Sequence, residues 1–370
     1  MSMIVNRNTM TPQSGSLAQV AFVGTSCETN AVGKILLLTS EFRAFTRDKI
    51  DLDYPRYTTQ IFTIGLFCNE NFPKDGFRRL LIHYGFDPDE IVSVDISEGK
   101  MHIHTGDEVT SLDVKEVSQF ARGGCKVCPD FWNMCSELSV GNSGSEKGWS
   151  TLIIRSERAH AFVQSAVAAG VIELGDASLP AVEKEQEKKM KKAKKHAKKR
   201  GYENYMQSWE QEEWKSFVET SRKKSFSTLE KEVIDTGLCI LCGACATVCP
   251  EKNVIIEERP YALNRCPEEC GCCYMACPRT HSFLSVLSRS PLHVYAARAT
   301  RSHHHAQAGG VITELLLYGI QQNFFESVVV TDMKKSIPVS VLTNDLDQIE
   351  KSAGSKYVTV PQVFTLTKGR

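Results

Sequence analysis

The sequence predicts an α+β or α/β chain, in which strands and helices from both ends build a mixed sheet around a small cysteine-rich module. Three observations predict it. Short apolar runs lie at residues 19–25, 59–67, 150–155, 326–331 and 337–342, bounded by turn residues as buried strands are. Apolar residues at helical spacing occupy 73–84, 158–173 and 311–318, alternating with those strands as in layered α/β folds. Nine of the fourteen cysteines fall within residues 239–278.

Composition narrows the function classes. A chain of 370 residues has room for two or three domains. Its 44 basic and 44 acidic residues balance, so overall charge argues for neither nucleic acid nor a membrane surface. No apolar run approaches the ~20 residues of a membrane span. The opening MSMIVNRNTMTPQSGSLAQ lacks an apolar stretch after a basic start, so no secretory signal is expected. Fourteen cysteines without such a signal suggest metal ligation in a reducing, cytoplasmic setting.

Taken from the N-terminus, QVAFVGT leads into Cys27 and TQIFTIGLF leads into Cys68. Two strands that both finish at cysteine place thiols at the carboxyl edge of a sheet, where open α/β sheets put their sites. DEIVSVDIS, KMHIHTG and EVTSLDV alternate and predict a small antiparallel segment. His102 and His104 fall on one face of it and read as surface or packing residues. Cys125 and Cys128 form a C-x2-C knuckle behind Gly123 and Gly124, where a tight turn is expected. Alone that knuckle leaves zinc, a redox disulfide and a cluster open. With Cys27 and Cys68 it makes four thiolates, the number one [4Fe-4S] cluster needs. Cys135 reads as a core cysteine.

The glycine- and serine-rich stretch before the strand at 150–155 suits close approach of backbone N–H groups to a phosphate or flat ring, or is a plain surface loop. Residues 183–230 are charged, with Lys and Arg dominant up to Arg200 and Glu entering after it. Such a block raises nucleic-acid binding, but its Lys, Ala, Met and Glu content favours a solvated linking helix. Docking onto an acidic partner is the remaining reading.

The cysteine-rich module carries the strongest signal. Cys239, Cys242, Cys245 and Cys249 precede Pro250 with the C-x2-C-x2-C-x3-C-P spacing of bacterial-type ferredoxins. Cys266, Cys270, Cys273 and Cys277 precede Pro278 with one extra residue in the first gap. Zinc knuckles do not require three cysteines in seven residues followed by Cys-Pro. In two-cluster ferredoxins the fourth cysteine crosses to the other cluster. The expected sets are therefore Cys239, Cys242, Cys245 and Cys277 on one cluster, and Cys266, Cys270, Cys273 and Cys249 on the other. Cys272 is spare. Beyond the module, Gly309-Gly310 directly before an apolar helix suits a pyrophosphate at a helix N-terminus. His303, His304 and His305 cannot easily converge on one ion, and polar contacts to a cofactor or solvent are expected of them.

The runs VGTSC, IGLFCNENF, CKVCPDF, SVGNSGSEKGWSTLIIR, QAGGVITELL and SAGSKYVTVP resemble the coenzyme F420 hydrogenase/dehydrogenase β-subunit family. The cysteine-rich part resembles the two-cluster ferredoxin extension of some of its members. The resemblance implies a flavin- and F420-binding mixed-sheet domain built from both ends of the chain, plus a bacterial-type 2[4Fe-4S] ferredoxin domain. It implies FAD beside a cleft for coenzyme F420 as substrate, hydride exchange between the two, and three [4Fe-4S] clusters passing single electrons to a partner. That partner would be a heterodisulfide reductase, hydrogenase, formate dehydrogenase, sulfite reductase or membrane complex. Cys27, Cys68, Cys125 and Cys128 fall on the family positions for the cluster nearest FAD. Gly309, Gly310, Val311 and Thr313 fall at the FAD pyrophosphate. Gly354, Ser355, Lys356 and Tyr357, with Ser143, Gly144, Gly148, Trp149 and Ser150, line the flavin and deazaflavin cleft. Gly24, Thr25, Ser26, Asn69, Glu70 and Asn71 are further cofactor contacts in the matching runs.

Two departures qualify the resemblance. The halves are in exchanged order: 1–182 resembles the family's C-terminal part and 291–370 its N-terminal part, with the charged segment at 183–230 and the ferredoxin module at 231–290 between them. Such a circular permutant folds within one chain, or completes its site in a homodimer or with a partner. Ala308 and Ser26 also replace an acidic residue and a proline of the family pattern. Two rivals therefore stand: a non-catalytic iron–sulfur adaptor with a degenerate flavin domain, and a nucleic-acid protein using the lysine run.

Overall fold

A computed structural model describes residues 19–38, 61–106, 108–212, 214–266, 270–303, 306, 308–334 and 337–367. The N-terminal stretch read for a signal, and His304 and His305, lie outside these residues. In chain order the strands and longer helices begin with β1 (Val20–Thr25), α1 (Ser26–Leu37), β2 (Ile61–Leu66) and α2 (Lys74–His83). Next come β3 (Ser93–Ser97), β4 (Lys100–Thr105), β5 (Glu108–Asp113), β6 (Leu138–Gly141), β7 (Ser150–Ile154), α3 (Glu157–Ala168), β8 (Ile172–Gly175) and α4 (Leu179–Lys199). The series closes with β9 (Val254–Ile256), β10 (Pro260–Ala262), β11 (His293–Ala299), α5 (Val311–Gln321), β12 (Ser327–Lys334) and β13 (Ile337–Thr343).

Eight strands form one mixed sheet in the order β13-β12-β1-β2-β6-β7-β11-β8. The neighbours β12, β1, β2 and β6 run parallel, while β7, β8 and β13 run antiparallel to their partners. Strands β12 and β13 from the trailing end border β1, and β11 from the trailing end is inserted between β7 and β8. Val20 pairs with Ser327 across β1 and β12, and Ile154 with His293 across β7 and β11. The exchanged halves thus close into a single sheet within one chain, and no second copy is needed to complete it.

Period-two alternation explains how the central strands are covered on both faces. Ala21, Val23, Phe62, Ile64, Val328 and Val330 face a core built with α3 and α5, where Phe162 meets Phe62 edge-on at 5.6 Å. Val20, Phe22, Ile61 and Val329 face the other way, onto α1 and the cysteine-rich module. Burying a side chain such as Phe22, which is 0% exposed, contributes about 1.5–3 kcal/mol. The module is therefore not an appendage: it forms part of one face of the sheet.

The predicted antiparallel segment is present as a separate β3-β4-β5 sheet, with α2 over a core including Phe72, Leu80, Met101 and Ile103. His104 bonds Asp95 on the neighbouring strand at 2.8 Å, and His102 lies between Ser97 and Ser111. Both are cross-strand packing residues. The helix expected over 158–173 stops earlier, because Gly170 turns with φ of 69° and the chain enters β8.

The charged segment departs most from expectation. It is broken into α4 and shorter helices, and Val182, Gln186, Lys189, Ala193 and Ala197 give α4 a buried face. Gln186 brackets residues next to the knuckle, accepting from the Phe131 N–H at 2.7 Å and donating to the Pro129 carbonyl at 2.8 Å. A solvated linker would leave these groups in water. Among the described residues no helix is long and apolar enough to cross a membrane.

Candidate metal centres and cofactor edge

β1 and β2 pair in register from Val20↔Ile61 to Thr25↔Leu66, so Cys27 and Cys68 each sit two residues beyond a matched strand end. Asn133 fixes that edge. Its amide donates to the carbonyls of Gly24 at 3.0 Å and Leu66 at 3.4 Å, and its oxygen accepts from Thr29 at 2.6 Å. Asn133 is fully buried with φ of 62°, a left-handed conformation that asparagine tolerates better than most residues. The knuckle reaches the same edge. The Asn71 N–H donates to Cys125 Sγ at 3.4 Å, and the Arg122 N–H to the Asn71 carbonyl at 2.9 Å. Gly123 and Gly124 serve close approach rather than a left-handed turn. A side chain on Gly123 would lie 2.8 Å from the Gly237 carbonyl, and one on Gly124 would collide with that of Leu238.

Cys125 and Cys128 act electrostatically on both Cys27 and Cys68, and Cys128 acts on Cys125, so the knuckle lies within electrostatic reach of both strand ends. Burial pushes Cys27 well up, with Cys128 and Cys125 adding to the rise, and pushes Cys68 up to about 12. Burial also opposes ionisation of Cys128, but Lys189 and Arg279 overcome it and hold that thiol below its ordinary value. Lys189 donates to the carbonyls of Cys68 and Asp130 from the buried face of α4. Arg279 is 3% exposed and donates to the Tyr205 hydroxyl, while its Nε and Nη2 have no partner among the described residues. Two buried cations facing four thiols, one of them with spare donors, fit an anionic multi-thiolate cluster.

Electrostatics link the ferredoxin-type thiols across the whole module without separating them into two sets, since Cys273 acts on Cys245 and Cys277 acts on Cys273. Cys277 and Cys239 act on Cys242, and both also act on Cys245. Cys273 is influenced by Cys270, Cys266 and Cys249. Each half turns through a left-handed glycine before a short helix, Gly243 with φ of 87° and Gly271 with φ of 62°. Among the described residues no three His, Cys, Asp or Glu gather tightly enough to hold one metal ion. Cys272 hydrogen-bonds with Cys270, and that bond draws the Cys270 thiol down to about 7. Cys135 is buried, accepts from Asn30 at 3.5 Å and is pushed up to about 12 by burial.

Helix α1 links the two regions. Cys27 is in its first turn, and seven residues later, ~10 Å along the axis, Lys34 is fully buried. Lys34 donates to the carbonyls of Cys277 and His281, each at 2.6 Å, and burial pushes it down to about 7. The helix start is capped by Glu28, which accepts from the Thr25 N–H at 2.7 Å and the Thr25 hydroxyl at 2.8 Å. Ser26 Oγ is buried with no partner among the described residues, and Gly24 lies against the Phe22 ring.

The segments expected at a flavin are partly gathered. Phe72 and Val358 form a parallel bridge, with the Phe72 N–H donating to the Tyr357 carbonyl at 2.9 Å. That joins Gly354–Tyr357 to the run Asn69–Asn71 behind Cys68. Tyr357 has φ of 45°; burial pushes it up to about 12, and its hydroxyl accepts from the Ile96 N–H at 3.1 Å. Lys356 curls back onto the carbonyls of Ser352, Ala353 and Gly354, and Ser355 is exposed beside it. Glu70 accepts from Ser118 at 2.8 Å, whereas Asn69 is exposed. Further along the edge the Gly309 N–H donates to Ser150 Oγ at 3.2 Å, joining the glycine pair to the loop that starts at Ser143. Trp149 stacks under Arg298 at 4.6 Å, and Gly144 and Gly148 turn with φ of 95° and 88°. Gly310, with φ of 68°, precedes Val311 and Thr313, both buried in the first turn of α5.

One expectation is corrected here. His303 is turned away from solvent. Its buried ring bonds Glu314 at 2.7 Å and Glu350 at 3.3 Å, and Arg301 pairs with the same Glu314 at 2.7 Å. A buried carboxylate needs such partners, and Glu314 lies in the first turn of α5. Arg279, Lys34, Lys189 and Asn133 escaped the sequence reading. Only Lys189 left a usable signal there, the spacing Val182, Gln186, Lys189, Ala193, Ala197 within the lysine run.

Residues 17–179 match the C-terminal family model of the coenzyme F420 hydrogenase/dehydrogenase β-subunits, and residues 294–367 match the N-terminal model of the same β-subunits. Residues 232–253 match a 4Fe-4S binding domain. The coenzyme F420 hydrogenase subunit beta of Methanococcus voltae is 31% identical over 43% of this chain and 52% of its own length. The F420-dependent formate dehydrogenase subunit beta of Methanocaldococcus jannaschii is 24% identical over 63% of this chain and 64% of its own. A chain of the F420-reducing [NiFe] hydrogenase complex from Methanosarcina barkeri aligns at TM-score 0.43 and 27% identity, covering 51% of this chain and 63% of that one. The chain spans about half the length of the hydrogenase β-subunits it matches, 52% in three cases.

Proposed function

The chain belongs to the coenzyme F420 hydrogenase/dehydrogenase β-subunit family, its two domains in exchanged order around a 4Fe-4S module, and from this premise we propose that it is an electron-input or output subunit. It exchanges hydride between coenzyme F420 and FAD. Electrons pass singly through a cluster on Cys27, Cys68, Cys125 and Cys128 to two ferredoxin-type clusters. They go to or come from a partner enzyme of hydrogenase, formate dehydrogenase, sulfite reductase or heterodisulfide reductase type. One observation supports the reading: the knuckle reaches the sheet edge that presents Cys27 and Cys68, with the Asn71 N–H donating to Cys125 Sγ and with Cys125 and Cys128 acting on both strand-end thiols.

Bound FAD supplies a carrier that takes a hydride and yields electrons one at a time, linking an obligate hydride donor to one-electron clusters. The chain's residues position and insulate. Gly354, Ser355, Lys356 and Tyr357 line one wall of the cleft and Ser143, Gly144, Gly148, Trp149 and Ser150 another. The Ile96 N–H orients the Tyr357 hydroxyl, and burial keeps that hydroxyl protonated as a donor. Gly309 and Gly310, with Val311 and Thr313, offer backbone at the pyrophosphate. Gly24, Thr25, Ser26, Asn69, Glu70 and Asn71 lie between the cleft and the thiols. No acid–base constellation is required, because hydride transfer depends on stacking and position. Buried thiols ligating iron belong in the reducing cytoplasm.

A second reading rests on one observation. The Glu314 carboxylate already occupies the first turn of α5, held by Arg301 and His303, and a pyrophosphate there would meet it. An adaptor that conducts electrons without flavin follows if that charge excludes FAD. Anaerobic purification with iron and flavin counts, then reduced F420 with a viologen acceptor, separates the two. Bound FAD, about twelve irons and turnover support the input module. Absent flavin and no turnover would leave the adaptor.

A further inference from the structure

We propose that Arg279 is the positioning and charge-compensating residue of the cluster on Cys27, Cys68, Cys125 and Cys128, and that Cys277-Pro278-Arg279 joins this site to the neighbouring ferredoxin site. The inference rests on the reading that these four thiols hold a cluster. Two independent features point to it. The guanidinium is 3% exposed, yet its Nε and Nη2 have no hydrogen-bond acceptor among the described residues. Its Nη1 donates to Tyr205, whose ring it also overlies at 5.3 Å. Arginine stays charged in any protein setting, so a guanidinium buried with idle donors requires an anionic neighbour. The groups that hold its charge in place are Tyr205, Cys128, Cys27 and Cys125.

The second feature is covalent. Arg279 stands two residues after Cys277, and its backbone N–H donates to Cys277 Sγ at 3.4 Å. One residue therefore contacts a ferredoxin-type ligand through its main chain, while its buried side chain, with two donors unpartnered among the described residues, lies within electrostatic reach of Cys27, Cys125 and Cys128 and also of Cys239. Net charge and hydrogen bonds to the sulfurs are among the factors that set a cluster's potential. One-electron reduction adds a negative charge, which the guanidinium favours. Arg279 thus makes the edge cluster easier to reduce and orients it towards the ferredoxin pair. Lys189 acts electrostatically with Cys68 and Cys128, but two of its three donors are already taken by backbone carbonyls.

The test is an EPR-monitored redox titration of the full reconstituted chain, with Cys68→Ala used to assign the edge-cluster signal. Arg279→Gln is expected to make reduction of that cluster at least tenfold less favourable, about 59 mV for one electron. Arg279→Lys restores most of the shift. In wild-type chain labelled with ¹⁵N-arginine, weak ¹⁵N coupling is expected on the edge-cluster signal and is lost in Arg279→Lys. If Arg279→Gln fails to assemble, this wild-type measurement decides alone. About eight irons in the wild type would overturn the edge cluster itself. A third cluster whose potential ignores Arg279→Gln, or which shows no ¹⁵N coupling, would overturn the role of Arg279 and leave the cluster standing.

Discussion

Asn133 offers the sharpest test of how the site is built, because it holds the two strand ends that deliver Cys27 and Cys68. Asn133→Ala removes its hydrogen bonds with Thr29, Gly24 and Leu66. Each is worth roughly 0.5–1.5 kcal/mol net. The backbone at φ of 62° adds about 1–2 kcal/mol for a residue that has a Cβ but no side-chain amide. The expected loss is about 3–6 kcal/mol, a large share of the ~5–15 kcal/mol that holds an ordinary domain. Asn133→Gly keeps the hydrogen-bond loss and avoids the backbone cost, so it should recover about 1–2 kcal/mol. The assay pairs thermal unfolding with iron content. Asn133→Ala should fall from about twelve irons towards eight, losing the edge cluster first and keeping the ferredoxin pair. An alanine variant with full iron and unchanged unfolding would refute the clamp.

The remaining predictions probe other parts of the assembly. Cys277→Ser should abolish the cluster on Cys239, Cys242 and Cys245, and Cys249→Ser the one on Cys266, Cys270 and Cys273; EPR spectra showing the opposite losses would deny the crossed pattern. Lys189→Met strands the carbonyls of Cys68 and Asp130 and should cost roughly 2–5 kcal/mol, measured as a drop in unfolding temperature. Lys191→Met, on the exposed side of the same helix, should stay within about 0.5 kcal/mol; equal effects would restore the solvated linker. Burial and then Lys34 push His281 down to about 3, below its ordinary value near 6.5. Its folded form therefore takes up a proton later than the unfolded chain, so its stabilisation is present above about pH 6.5 and is lost as pH falls towards 3. His281→Gln should flatten the decline in unfolding temperature between about pH 7 and 5, and an unchanged slope would place the acid sensitivity elsewhere.

Ligand spacing is a local property, which is why the cysteines were legible. Cys239, Cys242 and Cys245 sit within seven residues, and the strands before Cys27 and Cys68 announce themselves by apolar runs. Long-range contacts were not. Lys34 and Cys277 are 243 positions apart, and nothing near Lys34 distinguishes it from a surface lysine. Arg279 looked like any residue after a Cys-Pro. Asn133 sits in an irregular stretch whose amide partners come from β1, β2 and α1. His303 departed in the other direction: contacts to a cofactor or solvent were expected of it, while its ring is buried against Glu314 and Glu350.

The exchanged order of the halves costs the sheet little, and the reason lies at one edge. Strand β8 ends at Gly175, which pairs with Ala296 of β11. Everything between them, including α4 and the cysteine-rich module, is an insertion whose two ends meet on adjacent antiparallel strands. Closing a loop costs only about 0.6 kcal/mol more for each doubling of its length, so even a long insertion is tolerated there. Parallel neighbours such as β1 and β12 need a long connection in any case, so their pairing is indifferent to which comes first in the chain. Their alternating apolar faces fix the register instead. The insertion then returns across the sheet to pack on α1, bringing Cys277 against Lys34 and Arg279 against the Cys27 set. The connection that repairs the altered order is thus the segment that carries the ferredoxin thiols to the edge of the sheet.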